Sequence, residues 1–515
     1  LGLRNLDVIT DTLKIIKEVR GETIDIDQVP MDDSQTYELL SAGESIGVFQ
    51  LESAPMRSLM RSLAPSSFED VAALVALYRP GPMSANMHND YADRKNKRQP
   101  VTYFHDDAEE ILGNTYGLMI YQESVMRVAQ KFAGYSLEQA DNLRKACGKK
   151  VRELMAQEKE KFVQGCEETG YGGALGEDLF AIIEGFADYA FNKSHSYGYG
   201  YIAYQIAYLK AHYPVEYLSA LLTSVKTNLD KAAIYLNECR SMNIEVSVPD
   251  INLARSDFYP VVREKGLENG AQITFGLSAV RNVGENLVGR ILEERDTNGP
   301  FLDFYDFAER CDSTVLNKRS VESLIKAGAF DSFGYPRQGL LAASESIIDH
   351  TLARRREHEM GVMSLFGESE EGPVFDERET ISEIEFDKMT RLAFEKEMLG
   401  LYISDHPLQG TQSSLGRRTD TDITGLLEEE EGAFRTIGGV ISGLDKRWTR
   451  AGKLMASFHL EDLASSIEVM IFPKTMEEHG HKLEDDQIVL IKGRLNDRED
   501  TPKFFGQEVE VFVPS

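Results

Sequence analysis

Phe191-Asn192-Lys193-Ser194-His195-Ser196-Tyr197-Gly198-Tyr199-Gly200-Tyr201-Ile202-Ala203-Tyr204-Gln205-Ile206-Ala207-Tyr208-Leu209-Lys210-Ala211-His212-Tyr213-Pro214 is the stretch on which the reading of this chain turns. Tyr197, Tyr201, Tyr204 and Tyr208 recur at spacings of four, three and four, which puts their phenols on one face of a helix. Ser194 or Ser196 stands where it can cap the N-terminus, and Pro214 marks the end. Amide, ammonium, imidazole and hydroxyl groups from Asn192 to Ser196 then gather at the positive end of the helix dipole, a setting that suits a phosphate-bearing ligand. The same pattern also reads as a core-facing tyrosine stripe behind a capped loop. The rest of the chain has to decide between the two.

A chain of 515 residues is too long for one core, and about three or four domains are expected. The hydrophobic fraction of 42% and charged fraction of 27% are those of soluble globular protein. No apolar run approaches the roughly 20 residues that span a bilayer, so no membrane partner is expected and a cytoplasmic location is. Cys147, Cys166, Cys239 and Cys311 lie far apart with no C-x-x-C spacing, which points to free thiols and neither a disulfide frame nor a zinc site. A net charge of −29 argues against wholesale polyanion binding, so a nucleic-acid site has to be a local basic surface on an acidic body.

Residues 4–250 read as predominantly helical, with periodic segments at 5–19, 66–78, 121–133, 136–147, 151–168, 176–187, 197–212 and 230–242. From Pro249 the texture changes to short strands and turns, then to small helices up to about residue 348. Residues 367–432 are strongly acidic and read as a solvated linker or surface. Apolar and polar positions alternate at Arg435–Leu444, Met455–Leu460, Ser466–Phe472, Gln487–Leu495 and Phe504–Val513. Five such strands in a row fit a small β-barrel of the OB type. The fold class is therefore mainly α with a C-terminal all-β barrel, in several domains.

Five segments in order carry a resemblance. They are Gly47-Val48-Phe49-Gln50-Leu51-Glu52-Ser53, Ala76-Leu77-Tyr78-Arg79-Pro80-Gly81-Pro82, Gly117-Leu118-Met119-Ile120-Tyr121-Gln122-Glu123, Asp141 through Lys150, and Phe191 through Pro214. Together they resemble the family-C replicative DNA polymerases of bacteria, the DNA polymerase III α subunits. The resemblance implies the end of the palm and a connector over 1–35, fingers over 36–250, and a helix-hairpin-helix and clamp-binding region over 251–348. A clamp motif and acidic linker over 349–432 and an OB fold over 433–515 follow. In the family, Leu-Gly-Leu follows directly on the motif with the third catalytic aspartate, so the palm carboxylates that hold Mg²⁺ are expected to lie outside this chain. No catalytic residue and no metal ligand is then expected here, and the chain alone is expected to bind without catalysing. The implied partners are primer-template DNA, dNTP and a sliding clamp, with the clamp loader and a proofreading exonuclease contacting other or unassigned regions. An architectural DNA- and clamp-binding module that binds no nucleotide on its own is the alternative.

Arg144, Lys145 and Lys149 crowd one helix end, and Lys145 and Lys149 share a face. The fingers resemblance assigns them, with Lys193, His195 and Arg79, to the incoming triphosphate. A solvated basic helix end, a structural histidine and an ordinary ion pair are the plainer readings of the same residues. Tyr197 or Tyr201, nearer the helix start, is expected to stack on the nascent base pair, and Tyr204 and Tyr208 to be core. Arg94, Lys95, Lys97 and Arg98 form the densest basic run; Arg94 and Lys95 are expected on duplex phosphates. Residues 276–286 read as a helix, a tight hairpin at Asn282, Val283 and Gly284, and a second helix; Lys318 and Arg319 open the second half. Hairpins of this kind offer backbone N–H groups to phosphate without reading sequence. Met363, Ser364, Leu365 and Phe366 make a short anchor for a hydrophobic pocket, the implied clamp contact, with Val362 where the family usually has Gln. Lys446, Arg447 and Trp448 surround an expected β1–β2 turn with Phe458 on the next strand, a basic and aromatic mix that suits single-stranded nucleic acid.

Overall fold

The backbone gathers into two units, Leu1–Val246 with Phe258–Ile273, and Ser247–Asp257 with Thr274–Ser515. The structure is a computed structural model, and it describes residues 4–513 except 150–151, 187–190, 262–271, 360–378, 406, 428, 450, 464 and 497–501. The side chains of 147–149, 152–154, 229–230, 358–359 and 412 are also outside the description.

The first unit is helical, as its periodicity requires. The helices that build the site are α1 (Phe68–Leu77), α2 (Met87–Lys95), α3 (Gln122–Ala133), α4 (Leu137–Lys149), α5 (Arg152–Glu168), α6 (Gly173–Phe186), α7 (Lys193–His212), α8 (Pro214–Ser224) and α9 (Leu229–Ser241). Helices α3 to α6 close over one apolar core in which Phe132, Leu143, Phe162, Phe180 and Ile183 are fully or almost fully buried. The N-terminal helix Arg4–Arg20 pairs Arg20 with Glu216 of α8, so residues 1–35 share a unit with the segment expected as fingers.

Helix α7 differs from its reading in two ways. It begins at Lys193 and is capped by Asn192, whose side chain accepts the His195 N–H at 2.9 Å; Ser194 is exposed, and Ser196 is buried with its hydroxyl on Ala72 O. Its closest packing face is also not the tyrosine stripe. Ser196, Gly200, Ala203 and Ala207 are buried, and a Cβ on Gly200 would stand 3.2 Å from Ala72 Cα of α1. Small residues let two helices approach closely, and the larger phenols then spread around that contact. Tyr204 is core as expected, whereas Tyr208 is only half-buried against His212.

In the second unit α10 (Glu285–Asn298), α11 (Lys318–Ala327), α12 (Arg337–Glu359) and α13 (Lys388–Leu399) precede the barrel. The first helix expected before the hairpin is a single 3-10 turn, Leu277–Ala279. Helix α12 runs through the boundary expected at 348, and α13 corrects the linker reading of 367–432. Leu392, Met398 and Leu399 of α13 are buried, and its Glu395, fully buried, is bonded to Arg337 at 3.0 Å. Apolar positions at helical spacing outweigh the acidic average of that segment. The clamp segment Met363 to Phe366 lies outside the described residues.

Strands β1 (Phe434–Trp448), β2 (Leu454–Glu461), β3 (Ser466–Ile471), β4 (Ile488–Asn496) and β5 (Lys503–Val511) form a closed barrel in the order β1-β2-β3-β5-β4. Helix Pro473–His479 connects β3 to β4, and β3 pairs in parallel with β5, as in an OB fold. Phe458 is 1% exposed in the barrel core, so it belongs to the packing and not to a binding face.

Candidate functional site

Three consecutive residues, Tyr121, Gln122 and Glu123, assemble the residues that sequence reasoning picked out separately. Phe191 is tied to their backbone, donating to Ile120 O and accepting from Gln122 N–H at 2.9 Å. That bridge seats the start of α7 beside the start of α3. Glu123 then receives two hydrogen bonds, from Asn192 Nδ2 at 3.0 Å and from the Lys193 N–H at 2.9 Å. The Glu123 carboxylate and the Asn192 side chain thus take the Lys193 and His195 N–H groups at the positive end of α7.

The Lys193 ammonium lies 5.6 Å from the ring centre of Tyr121 and 5.2 Å from that of Tyr197. Two π faces favour the cation without neutralising it, and no carboxylate pairs with Lys193 among the described residues. Burial raises the pKa of Tyr197. It also raises that of Tyr121, an effect eased by a hydrogen bond with Ser196. Tyr201 points elsewhere, with its hydroxyl 3.4 Å from Asp27 O. Of the two tyrosines considered for base stacking, only Tyr197 is beside Lys193.

Arg79 and His195 belong to a ladder of rings on another face of α7. The Arg79 guanidinium lies over Phe191 at 4.1 Å, and its Nε donates to Ala76 O; desolvation lowers its pKa. His195 is exposed and packs on Phe191 at 5.4 Å and on Tyr199 at 4.2 Å, and Tyr199 stacks on Phe49. Tyr199 lies off the tyrosine stripe, and its spacing of four from His195 is the signal in the sequence for this contact.

Gln122 links the basic helix end to this place, accepting from Arg144 Nη1 at 3.4 Å. Arg144 and Lys145 are both ion-paired with Asp141, at 2.8 and 2.7 Å. Hydrogen bonds from Lys145 and then Arg144 hold the Asp141 carboxyl below its ordinary pKa. Asp141, one turn before Lys145, is the residue the sequence reading overlooked. The Lys149 side chain is outside the described residues.

The basic run of α2 is turned inward, contrary to expectation. Lys95 donates to Ala64 O at 2.6 Å and lies 3.5 Å from buried Asp70. Arg94 Nη1 donates to Tyr116 O at 3.0 Å. Lys97 and Arg98 are the exposed pair.

In the second unit the hairpin carries Asn282 at φ 66°, bound through its amide to Ser323 and through its carbonyl to the Ser320 hydroxyl. Val283 is buried, and Gly284 opens α10 exposed to solvent. Arg319 is exposed, whereas Lys318 is held by Glu345 and Asp349 at 2.6 and 2.9 Å. On the barrel Arg447 and Trp448 are exposed, Trp448 at 72%, and Lys446 Nζ donates to Leu483 O.

Comparison with known proteins agrees with this layout. Residues 5–170 match the bacterial DNA polymerase III alpha subunit finger domain, residues 243–340 a helix-hairpin-helix motif, and residues 436–515 an OB-fold nucleic acid binding domain. The chain is 45% identical over 531 residues to the DNA polymerase III subunit alpha of Mycobacterium tuberculosis strain H37Rv, covering 99% of the chain and 44% of that protein. It is 40% identical over 508 residues to the subunit of Thermus aquaticus, covering 97% of the chain and 40% of that protein. With the subunit of Aquifex aeolicus strain VF5 it shares 38% identity over 514 residues, covering 100% of the chain and 42% of that protein. The chain thus spans less than half the length of these relatives. No described helix is long and apolar enough to cross a membrane.

Proposed function

Because the chain belongs to the bacterial DNA polymerase III α-subunit family, we propose that it supplies the nucleotide-facing fingers and the DNA-holding modules for template-directed addition of deoxynucleotides to a primer end. The observation that carries this reading is the convergence of Lys193 and Arg144 on the strip Tyr121-Gln122-Glu123. A dNTP brings about four negative charges, and phosphoryl transfer gains chiefly from positioning and charge stabilisation. In this reading Lys193, cradled by two rings, meets the phosphates first. Arg79 and His195 approach along the ring ladder, Arg144 and Lys145 exchange Asp141 for phosphate, Lys149 adds its charge there, and Tyr197 faces the base pair.

The Asn282–Gly284 hairpin with Arg319 is proposed to hold duplex phosphates, the exposed Arg447 and Trp448 a single strand, and Met363 to Phe366 a sliding clamp. The exposed Lys97, beside an Arg98 paired with Asp93 and Ser62, takes the duplex contact expected of Arg94 and Lys95. Polymerisation requires Mg²⁺ held by clustered carboxylates. The residues gathered here fit binding and positioning of the nucleotide; among the described residues no three His, Cys, Asp or Glu side chains converge to hold a metal ion. The chain by itself is proposed to bind without extending a primer.

The test is a dNTP titration into the chain with and without Lys193→Ala. Loss of roughly tenfold or more in affinity, the worth of a charge-assisted contact, is expected; equal affinity in the variant overturns the assignment. A second reading, DNA- and clamp-holding without nucleotide binding by this chain, draws on the pairing of Arg144 and Lys145 with Asp141. It is favoured if the unmodified chain binds no dNTP.

A further inference from the structure

Turned away from the expected DNA surface, Arg94 forms part of the wall of a cavity of about 470 Å³ in the first unit. Tyr103, Phe104, Leu118, Met119, Ile182 and Phe186 make most of the remaining wall. A space of that size, lined by apolar and aromatic side chains with one polar anchor, is the usual form of a small-molecule site. The anchor here is incompletely satisfied. A guanidinium carries five N–H donors, yet Arg94 Nη1 spends one on Tyr116 O, and its shielded Nε has no hydrogen-bond partner. No carboxylate pairs with Arg94 among the described residues. A half-buried cation facing apolar walls is costly unless an anion completes it. The loop beside it is shaped for that exposure: Gly117 has φ +78°, and a Cβ there would fall 2.4 Å from Thr102 O and 3.2 Å from Arg94 Nη1. Any side chain at 117 would collide with Thr102 O and crowd Nη1, so glycine is required where this loop meets Arg94.

From these observations we infer that the cavity binds a small organic anion, a carboxylate or sulfonate on a flat apolar body, with its charge on Arg94 and its body between the aromatic walls. The site is separate from Lys193 and the Tyr121-Gln122-Glu123 strip and does not depend on the nucleotide reading. Titration of the whole chain with the fluorescent anilinonaphthalene sulfonate, beside its uncharged counterpart phenylnaphthylamine, tests it. One saturable sulfonate site is expected. Arg94→Met, which keeps the bulk and removes the charge, weakens the sulfonate about tenfold or more and leaves the amine within about twofold. Ile182→Glu, at a wall position that is 44% exposed, sets a negative charge at the mouth without disturbing the core. It too should weaken the sulfonate and spare the amine, so the test survives if Arg94→Met does not fold. No saturable binding, unchanged sulfonate affinity in folded variants, or equal loss for both dyes overturns the inference.

Discussion

Substituting Glu123→Gln isolates what holds the start of α7. The carboxylate accepts from two different donors, Asn192 Nδ2 at 3.0 Å and the Lys193 N–H at 2.9 Å. Glutamine has the same shape but one acceptor oxygen and one NH₂ group. Whichever way the amide turns, one of the two donors faces another donor. One charge-assisted bond is lost outright and the other becomes neutral, which together cost about 2 kcal/mol at a half-buried position. Removing a negative charge from a helix N-terminus adds about 0.3–1 kcal/mol. For a unit of this size each kcal/mol shifts the unfolding midpoint by roughly 2–4 °C, so a fall of about 5–12 °C is expected by calorimetry. Amide hydrogen exchange should accelerate at residues 193–196, while the segment beyond Gly200, gripped by Ala72, Pro30 and Glu238, stays protected. An unchanged midpoint with unchanged exchange at 193–196 would refute the claim that Glu123 secures this helix.

Asp141→Asn frees Arg144 and Lys145 from their shared carboxylate; dNTP affinity should rise about three- to tenfold at low salt and the gain should shrink above about 0.15 M salt. Trp448→Ala removes a side chain that is 72% exposed, so single-strand affinity measured by fluorescence anisotropy should fall roughly five- to hundredfold with little change in stability. The Asp312 carboxyl is held well below its ordinary pKa by a hydrogen bond from the Thr314 hydroxyl, with help from Arg290 and the 314 and 315 amides. A depressed folded pKa stabilises above the unfolded value near 3.9 and is lost as pH falls through the folded one. Resistance to urea should therefore fall below about pH 4, and Asp312→Asn should flatten that acid limb; an identical limb in the variant counts against the bond.

The barrel was the most legible part of the fold, because one face of each strand is buried and its alternation is unambiguous: Ser466–Phe472 was expected and Ser466–Ile471 is found. Helices α3 to α6 were legible for the same reason at a different period. The helix expected from 197 starts four residues earlier, because Asn192 fills the capping place expected of Ser194 or Ser196. Lys95 misled because a basic run along a helix says nothing of which members turn inward, and Asp70 lies 25 positions earlier. Asp141 stands one turn before Lys145, a pairing legible from spacing alone. The role of the strip Tyr121-Gln122-Glu123 was not legible, because its partners lie about 70 positions away and only the fold brings them together.

The bridge between Phe191 and the backbone at 120–122 also has a consequence for synthesis on the ribosome. The hairpin of α3 and α4 needs only nearby residues and can form as soon as it emerges. Tyr121 and Glu123 then wait, with their partners not yet translated, until Phe191 to Lys193 leave the exit tunnel some 70 codons later. Growth arrested in that interval leaves a nascent chain with a finished helical pair, an apolar ring and a carboxylate open to solvent, which is the form most exposed to chaperones and proteases.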